Sequence, residues 1–284
     1  MNLCAPETIK YIQKTFGFKN AKGLGQNFLT DPGVIEAMVD AAEIGPEDLV
    51  IEIGPGIGVL TDAAAKRAKK VIAIEIDKAL LPVLKYTLAH HNNVEIINED
   101  ILKVDLNKII QEEAVERQNV KIMGNLPYYI TTPIITQLLE KGTRAASITI
   151  MMQKEVAERI VSPPGKKSFG ALSVAVQYYS NPQKVVSVPK EVFFPIPKVD
   201  SEVLILTLLE KPAVEVKDTE MFFRLVKAGF AQRRKTLSNS LKGAGLDKDA
   251  VEKALEDSGI EGSRRAETLS LEEFAALSDA FSQG

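Results

Sequence analysis

The chain has 284 residues, 45% of them hydrophobic and 26% charged. These are globular values and exclude a disordered tail or a fibre. A single cysteine excludes an internal disulfide, two adjacent histidines fall short of the roughly four ligands of a zinc site, and a net charge of −3 speaks on its face against nucleic acid.

In chain order, the first thirty residues read as irregular, punctuated by Gly23, Gly25, Asp31 and Pro32. A helix is expected from Gly33 to Glu43. From Leu49 the pattern alternates apolar runs with helical stretches. Strands are expected at Leu49–Ile53, Val71–Ile76, Val94–Asn98, Val120–Met123 and Ser147–Met152. Short continuous apolar strands separated by helices signal a parallel sheet covered on both faces. A helix over Gln153–Val161 ends at Pro163-Pro164-Gly165, and strands follow at Val185–Val188 and Glu202–Leu209. Beyond Pro212 the periodicity is helical, with helices near Thr219–Phe230, Thr236–Lys242, Lys248–Ser258 and Leu271–Phe281. Asp247 and Ser270 suit N-caps. The reading is α/β, a Rossmann-like sheet domain over residues 1–211, with an all-helical domain over 212–284. Residues 1–32 form an N-terminal segment of the first domain. No apolar run approaches the roughly 20 residues that span a bilayer, and the N-terminus lacks a signal-peptide core. Cysteine poverty fits a reducing compartment, so a cytoplasmic location is expected, with a monomer as the default state.

The first strand runs into Glu52-Ile53-Gly54-Pro55-Gly56-Ile57-Gly58. Glycines at a strand-to-helix turn let backbone approach a ligand closely. Val59 stands where a dinucleotide fingerprint would place its last glycine, which counts against a nicotinamide cofactor. Glu75 closes the second strand, where an acid suits ribose hydroxyls. Asp100, just past the third, suits an adenine amine. No G-x-x-x-x-G-K-[ST] string occurs, so a P-loop is excluded. A nucleoside site without a phosphate-gripping lysine suggests S-adenosylmethionine.

The fourth strand ends in Gly124-Asn125-Leu126-Pro127-Tyr128-Tyr129. An exocyclic amine on a nucleobase is a poor nucleophile, because its lone pair is delocalised into the ring. Two acceptors at tetrahedral positions favour the pyramidal, attacking form. The Asn125 side-chain carbonyl and the Leu126 backbone carbonyl suit this role. Pro127 biases Leu126 to an extended conformation and aims its carbonyl. Tyr128 offers an aromatic face for a flipped base. Aligned dipoles and positioning then supply most of the rate, with no strong base and no metal.

Asn125-Leu126-Pro127-Tyr128, behind the E-x-G-x-G-x-G string, resembles the class I adenine amino-methyltransferases. The chain as a whole resembles the ribosomal RNA adenine dimethyltransferase family, small-subunit branch. Gly23-Leu24-Gly25-Gln26-Asn27-Phe28-Leu29 is similar to that family's N-terminal cofactor motif. Phe194-Pro195-Ile196-Pro197-Lys198-Val199-Asp200-Ser201 is similar to its late substrate-side loop. Phe230 to Leu237 and Arg265-Ala266-Glu267 are similar to stretches of its helical domain. The resemblance implies a class I methyltransferase fold and S-adenosylmethionine as cofactor. Asn27 and Leu29 would contact that cofactor, Gly54 would lie at its methionine end, Glu75 at its ribose and Asp100 at its adenine. Asn125 would stand between cofactor and target amine. Tyr128 would stack on the target base, with Phe194 as the second face. The implied substrate is two adjacent adenines near the 3′ end of small-subunit rRNA, each methylated twice on an assembling subunit.

Met221–Leu246 carries Arg224, Lys227, Arg233, Arg234, Lys235 and Lys242 and no Asp or Glu. Such a segment is a footprint for phosphate inside an acidic chain. Arg233, Arg234 and Lys235 are the expected RNA contacts. Lys10, Lys14, Lys19 and Lys22 would add to them if the N-terminus folds nearby, and Lys166, Lys167 and Lys198 would extend the face. Cys4 reads as an ordinary thiol, and His90 and His91 as exposed at a helix end. Tyr11, Phe16, Phe18, Tyr178 and Tyr179 read as packing residues. Two other readings stay open, a large-subunit resistance methyltransferase and a non-catalytic nucleic-acid binder. The intact Asn125-Leu126-Pro127-Tyr128 string favours chemistry over the second.

Overall fold

A computed structural model describes residues 1–18, 24–113 and 116–281. Lys19, Lys22 and Gly23 of the readings above lie outside the described residues. The chain divides into two compact units. One comprises Met1–Ala157 with Pro182–Leu208, the other Glu158–Asn181 with Leu209–Gly284.

The first unit is built on a seven-stranded sheet. Its strands are β2 (Leu49–Ile53), β3 (Lys70–Ile74), β4 (Val94–Ile97), β5 (Val120–Asn125), β6 (Ser147–Gln153), β7 (Ser180–Val188) and β9 (Ser201–Leu208). Their order across the sheet is β4-β3-β2-β5-β6-β9-β7. The pairs β4-β3, β3-β2, β2-β5 and β5-β6 are parallel, and β9 runs antiparallel to β6. All five residues of β2 are buried, as expected of a strand covered on both faces. The order reverses between β2 and β5. In an open sheet of this kind, ligands bind beyond the strand carboxyl ends at that switch point.

The helices of this unit are α1 (Pro6–Phe16), α2 (Pro32–Ala41), α3 (Val59–Ala65), α4 (Leu81–Thr87), α5 (Leu106–Glu112), α6 (Thr131–Glu140) and α7 (Lys154–Ile160), the last running into the second unit. Asp31 caps α2 by accepting from Gly33 N–H, and Pro32 supplies the first helical φ.

One expectation is corrected here, and one pairing is added. The N-terminus is not irregular: α1 buries Ile9 and Ile12 and ends at Gly17 in the left-handed region. Its apolar stripe packs with Phe18, Phe28, Ile57, Leu80 and Val83. The stripe is only two turns long and its flanks are polar, so periodicity alone was a weak signal. In addition, β1 (Phe28–Leu29) pairs antiparallel with β8 (Phe193–Phe194), a two-residue bridge too short to show in a pattern.

The second unit contains α8 (Ala171–Tyr179), α9 (Thr219–Phe230), α10 (Leu237–Gly243), α11 (Lys248–Asp257) and α12 (Leu271–Phe281). Asp218, Thr236 and Asp247 cap three of these helices. At the start of α12, Ser270 and Glu273 form a reciprocal capping box. The units change between Leu208 and Leu209, close to the expected boundary at 211, but residues 158–181, read as part of the first domain, group with the late helices. Phe169, Val174 and Tyr178 share one apolar core with Phe222, Leu237, Leu255 and Phe274. The Tyr178 ring lies 5.0 Å from that of Phe222 and 5.2 Å from that of Phe223. Among the described residues, no helix is long and apolar enough to cross a membrane.

Candidate active site

One pocket opens at the carboxyl ends of β2, β3, β4 and β5, and it gathers residues that the sequence separates widely. Asn27, Leu29, Gly54, Glu75, Asp100, Asn125, Leu126, Pro127 and Tyr128 all line it. Parallel strands explain this convergence, since every carboxyl end then faces the same way.

Gly54 leaves β2 at φ +71, and a Cβ added there would meet no atom within 4 Å. The backbone therefore borders open space that any side chain would fill. Glu75 follows β3 and is 4% exposed. Its Oε1 accepts from Asp77 N–H at 2.8 Å and its Oε2 from Gly56 N–H at 3.3 Å. Burial raises its pKa, and those two N–H donors offset only part of the rise. Asp100 caps the short turn after β4 by accepting from Leu102 N–H at 3.0 Å. Glu52, buried within β2 and part of the pocket wall, has an Oε2 without a hydrogen-bond partner. Burial, with the charge of nearby Glu75, pushes its pKa up to about 8.

The Asn125 turn forms the opposite wall. Asn125 Nδ2 donates to the Asn27 carbonyl at 3.2 Å, and Leu126 N–H donates to the Met151 carbonyl at 3.1 Å. The Pro127 carbonyl accepts from Ile130 N–H at 3.1 Å and from the Thr131 hydroxyl at 3.0 Å. Tyr128 is half-buried, and its hydroxyl lies 2.7 Å from Ser201 Oγ. Burial raises the Tyr128 pKa, as does the charge of Asp200, against the bond to Ser201. The β6-β9 register delivers Ser201 here, because Gln153 pairs with Ser201 while Met151 lies beside Asn125. Gly124 is required by contact: an added Cβ would stand 2.7 Å from the Ile53 carbonyl oxygen.

The N-terminal segment reaches the same site. An added Cβ on Gly25 would lie 3.7 Å from both Pro127 and the Tyr129 ring. Gln26 Nε2 donates to Asp77 Oδ2 at 2.7 Å, tying the segment to the β3 end. Gln26, Asp77, Glu52, Gly124 and Ser201 have no role in the sequence reading. Their parts depend on partners far along the chain.

Phe194 stands apart from the other predicted residues, since it does not line the pocket and its neighbour Phe193 does. The half-buried Phe194 ring packs on the core beneath α1, with Lys10 Nζ 5.8 Å from its centroid. Backbone pairing still sets Phe194 opposite Phe28, at the pocket rim. Of the aromatics expected to pack, Phe16, Phe18 and Tyr178 do so, whereas Tyr11 is 53% exposed.

Beside Glu52, which holds its proton at neutral pH, the pocket lining contains the acids Glu75, Glu99 and Asp100, and no Lys, Arg or His among the described residues. Such a wall suits a cationic nucleoside with free sugar hydroxyls and suits a nucleotide phosphate poorly. S-adenosylmethionine answers that description.

A family model described as ribosomal RNA adenine dimethylase matches residues 17–283. The chain belongs to the ribosomal RNA adenine dimethylase family. It is similar to a ribosomal RNA small subunit methyltransferase A from Bacillus mycoides, at 50% identity over 98% of this chain and 97% of the relative. A protein of the same name from Bacillus cytotoxicus matches equally well. Among solved structures, a dimethyladenosine transferase from Plasmodium falciparum superposes with a TM-score of 0.75 at 26% identity, covering 88% of this chain and 95% of that one. The 23S rRNA methyltransferase ErmE superposes at 0.68 with 28% identity, covering 90% and 100%. As a member of this dimethylase family the protein is an S-adenosylmethionine-dependent rRNA adenine dimethyltransferase, and the expected methyltransferase sheet with a helical C-terminal region is borne out.

In the second unit, the basic segment forms α9, α10 and the turn between them. Arg224, Lys227, Arg233, Arg234 and Lys235 are exposed. Lys242 is not a free charge, because it pairs with Glu252. Arg233 donates to the Lys167 carbonyl, which brings Lys167 beside the cluster as expected.

Proposed function

We propose that this dimethyltransferase acts on small-subunit rRNA, methylating two adjacent adenines near the 3′ end, each twice, within an assembling subunit. The observation that carries the reading is the convergence of Gly54, Glu75, Asp100 and Asn125 on one acidic pocket at the sheet's switch point. Identity supports the choice of subunit, at 50% to small-subunit enzymes against 28% to ErmE.

When bound, S-adenosylmethionine supplies a methyl group activated by its sulfonium. The residues of the chain do the rest. Glu75 and Asp100 accept hydrogen bonds from sugar and base, and Asn27 and Leu29 close the pocket from the N-terminal side. In the first transfer Asn125 Oδ1 and the Leu126 carbonyl accept the two N–H bonds of the target amine; in the second, one of these carbonyls accepts the N–H that remains. That arrangement draws the nitrogen toward a pyramidal form and exposes its lone pair. The proton in excess on the nitrogen after transfer stays on the nitrogen, hydrogen-bonded to Asn125 Oδ1, until it passes to water. Tyr128 stacks on the flipped base, its ring oriented by the bond to Ser201, and Phe194 supplies the second face from the rim. The helical unit grips RNA through Arg233, Arg234 and Lys235. The enzyme works as a monomer in the cytoplasm.

Incubating unmodified small subunits and, separately, unmodified large subunits with the protein and labelled cofactor, followed by mass mapping of the RNA, tests the reading. Two neighbouring dimethyladenines near the 3′ end are expected. Label confined to one large-subunit adenine, or no transfer, would overturn it.

A further inference from the structure

His90 and His91 are the two histidines of the chain, and the methyl-transfer pocket uses neither. His90 is exposed as expected, but the His91 side chain is only 10% exposed. Both rings point Nε2 at one oxygen, Asp62 Oδ1, at 3.0 Å and 2.8 Å. The other carboxylate oxygen is held by Lys66 Nζ at 2.7 Å, so Oδ1 is presented to the imidazoles. The three donor atoms lie within 4.8 Å of one another. A tetrahedral ion with bonds of about 2.0–2.1 Å sets its ligand atoms about 3.3 Å apart. Two of the three edges, at 3.0 and 2.8 Å, are thus within about half an ångström of that spacing. The sequence alone offered two histidines and no third ligand; folding brings Asp62 of α3 against the end of α4.

The scaffold around this cluster is held independently of any ion. Thr87 Oγ1 donates to the Ile57 carbonyl at 2.9 Å. Asn93 Nδ2 donates to the carbonyls of Ala65 and Ala68 at 2.9 and 3.0 Å. These bonds pin the loop after α4 onto α3 from both sides of the histidine pair.

We propose that Asp62, His90 and His91 form a binding site for a divalent transition-metal ion of the zinc class, clamping the end of α4 to α3. Two imidazoles and one carboxylate select Zn²⁺, Co²⁺ or Ni²⁺ over Mg²⁺ and Ca²⁺. Three protein ligands leave a position for water. The ion would be taken through Nε2 by neutral imidazoles, each carrying its one ring proton on Nδ1. The role is structural, since α3 directly follows the glycine turn and Leu88 packs against Gly58 of that turn. Asp62, His90 and His91 lie outside the pocket lining.

The test is a Co²⁺ titration of untagged, chelator-stripped full-length protein, read by ligand-field absorption and by the histidine ring resonances. With two histidines in the chain, the ring signals report on this pair alone. One equivalent of Co²⁺ is expected to bind, shift both rings and be displaced by Zn²⁺ but not by millimolar Mg²⁺. His90→Ala, at an exposed ring, and Asp62→Asn are each expected to weaken binding by at least about tenfold, with cofactor affinity unchanged. Zn²⁺ is expected to raise the melting temperature of the wild type and not of these variants. No uptake, unshifted histidine rings, or equal uptake by both variants overturns the proposal and marks any bound ion as adventitious. If a variant fails to fold, the wild-type ring signals still decide.

Discussion

An amide is planar, so holding one end aims the other. The bond from Asn125 Nδ2 to the Asn27 carbonyl therefore sets where Oδ1 points. Removing the group should damage the transition state far more than cofactor binding. Asn125→Ala is expected to lower turnover about 10²–10³-fold while leaving cofactor affinity within about twofold, read by single-turnover kinetics and calorimetry. Glu52 makes a different claim at the same scale. Its folded pKa of about 8 stands above the ordinary value of 4.5. The folded state thus holds a proton that the unfolded chain releases. The stabilisation is fully present below about 4.5 and is lost as pH rises to about 8, by at most about 1.4 kcal/mol per pH unit. Glu52→Gln is expected to remove that slope, so that urea unfolding from pH 5 to 8 shows the variant gaining on the wild type. Parallel curves would sink the assignment. Sequence showed Gly54, Glu75, Asp100 and Asn125, because strand ends of a parallel sheet share one side. It did not show Gln26 on Asp77 or Tyr128 on Ser201, because those contacts are set by register across 51 and 73 positions.

At the scale of elements, continuous apolar runs announced the five parallel strands, and capping residues announced the late helices. Two failures have physical causes. The α1 helix is short and amphipathic on a polar background, and its stability comes from packing under Phe28 and Leu80. The placement of α8 with the late helices follows from aromatic contacts among Tyr178, Phe222 and Phe223, which no local pattern encodes. The junction of β5 with β2 offers a sharper test, because the switch point depends on it. Gly124 lies so close to β2 that a methyl group would overlap the Ile53 carbonyl at 2.7 Å. That oxygen belongs to the backbone and cannot swing aside. Gly124→Ala is expected to destabilise the protein by about 1–3 kcal/mol and to shift the Asn125 turn. Denaturant unfolding measures the first effect, and a fall in turnover larger than any change in cofactor affinity measures the second. Unchanged stability would show that the strands separate more easily than this geometry implies.

For the whole molecule, a net charge of −3 is compatible with an RNA substrate because the charge is segregated. The acids that line the pocket suit a cationic cofactor, while Arg224, Lys227, Arg233, Arg234 and Lys235 stand exposed in the helical unit. Binding to a polyanion is driven by release of its counterions, so each phosphate contact adds about 0.7–0.9 to the slope of log affinity against log salt. Net charge does not enter that count; local contacts do. Replacing Arg233, Arg234 and Lys235 together by Gln is expected to flatten the slope for subunit binding by about 2–3 and to leave cofactor affinity unchanged. Lys242 supplies the internal control, since Glu252 already neutralises it. Lys242→Gln should move the slope by far less than the triple change. Equal effects of the two variants would mean that the whole protein's charge, and not a surface patch, sets the attraction. A slope untouched by the triple change would place the phosphate contacts on another surface.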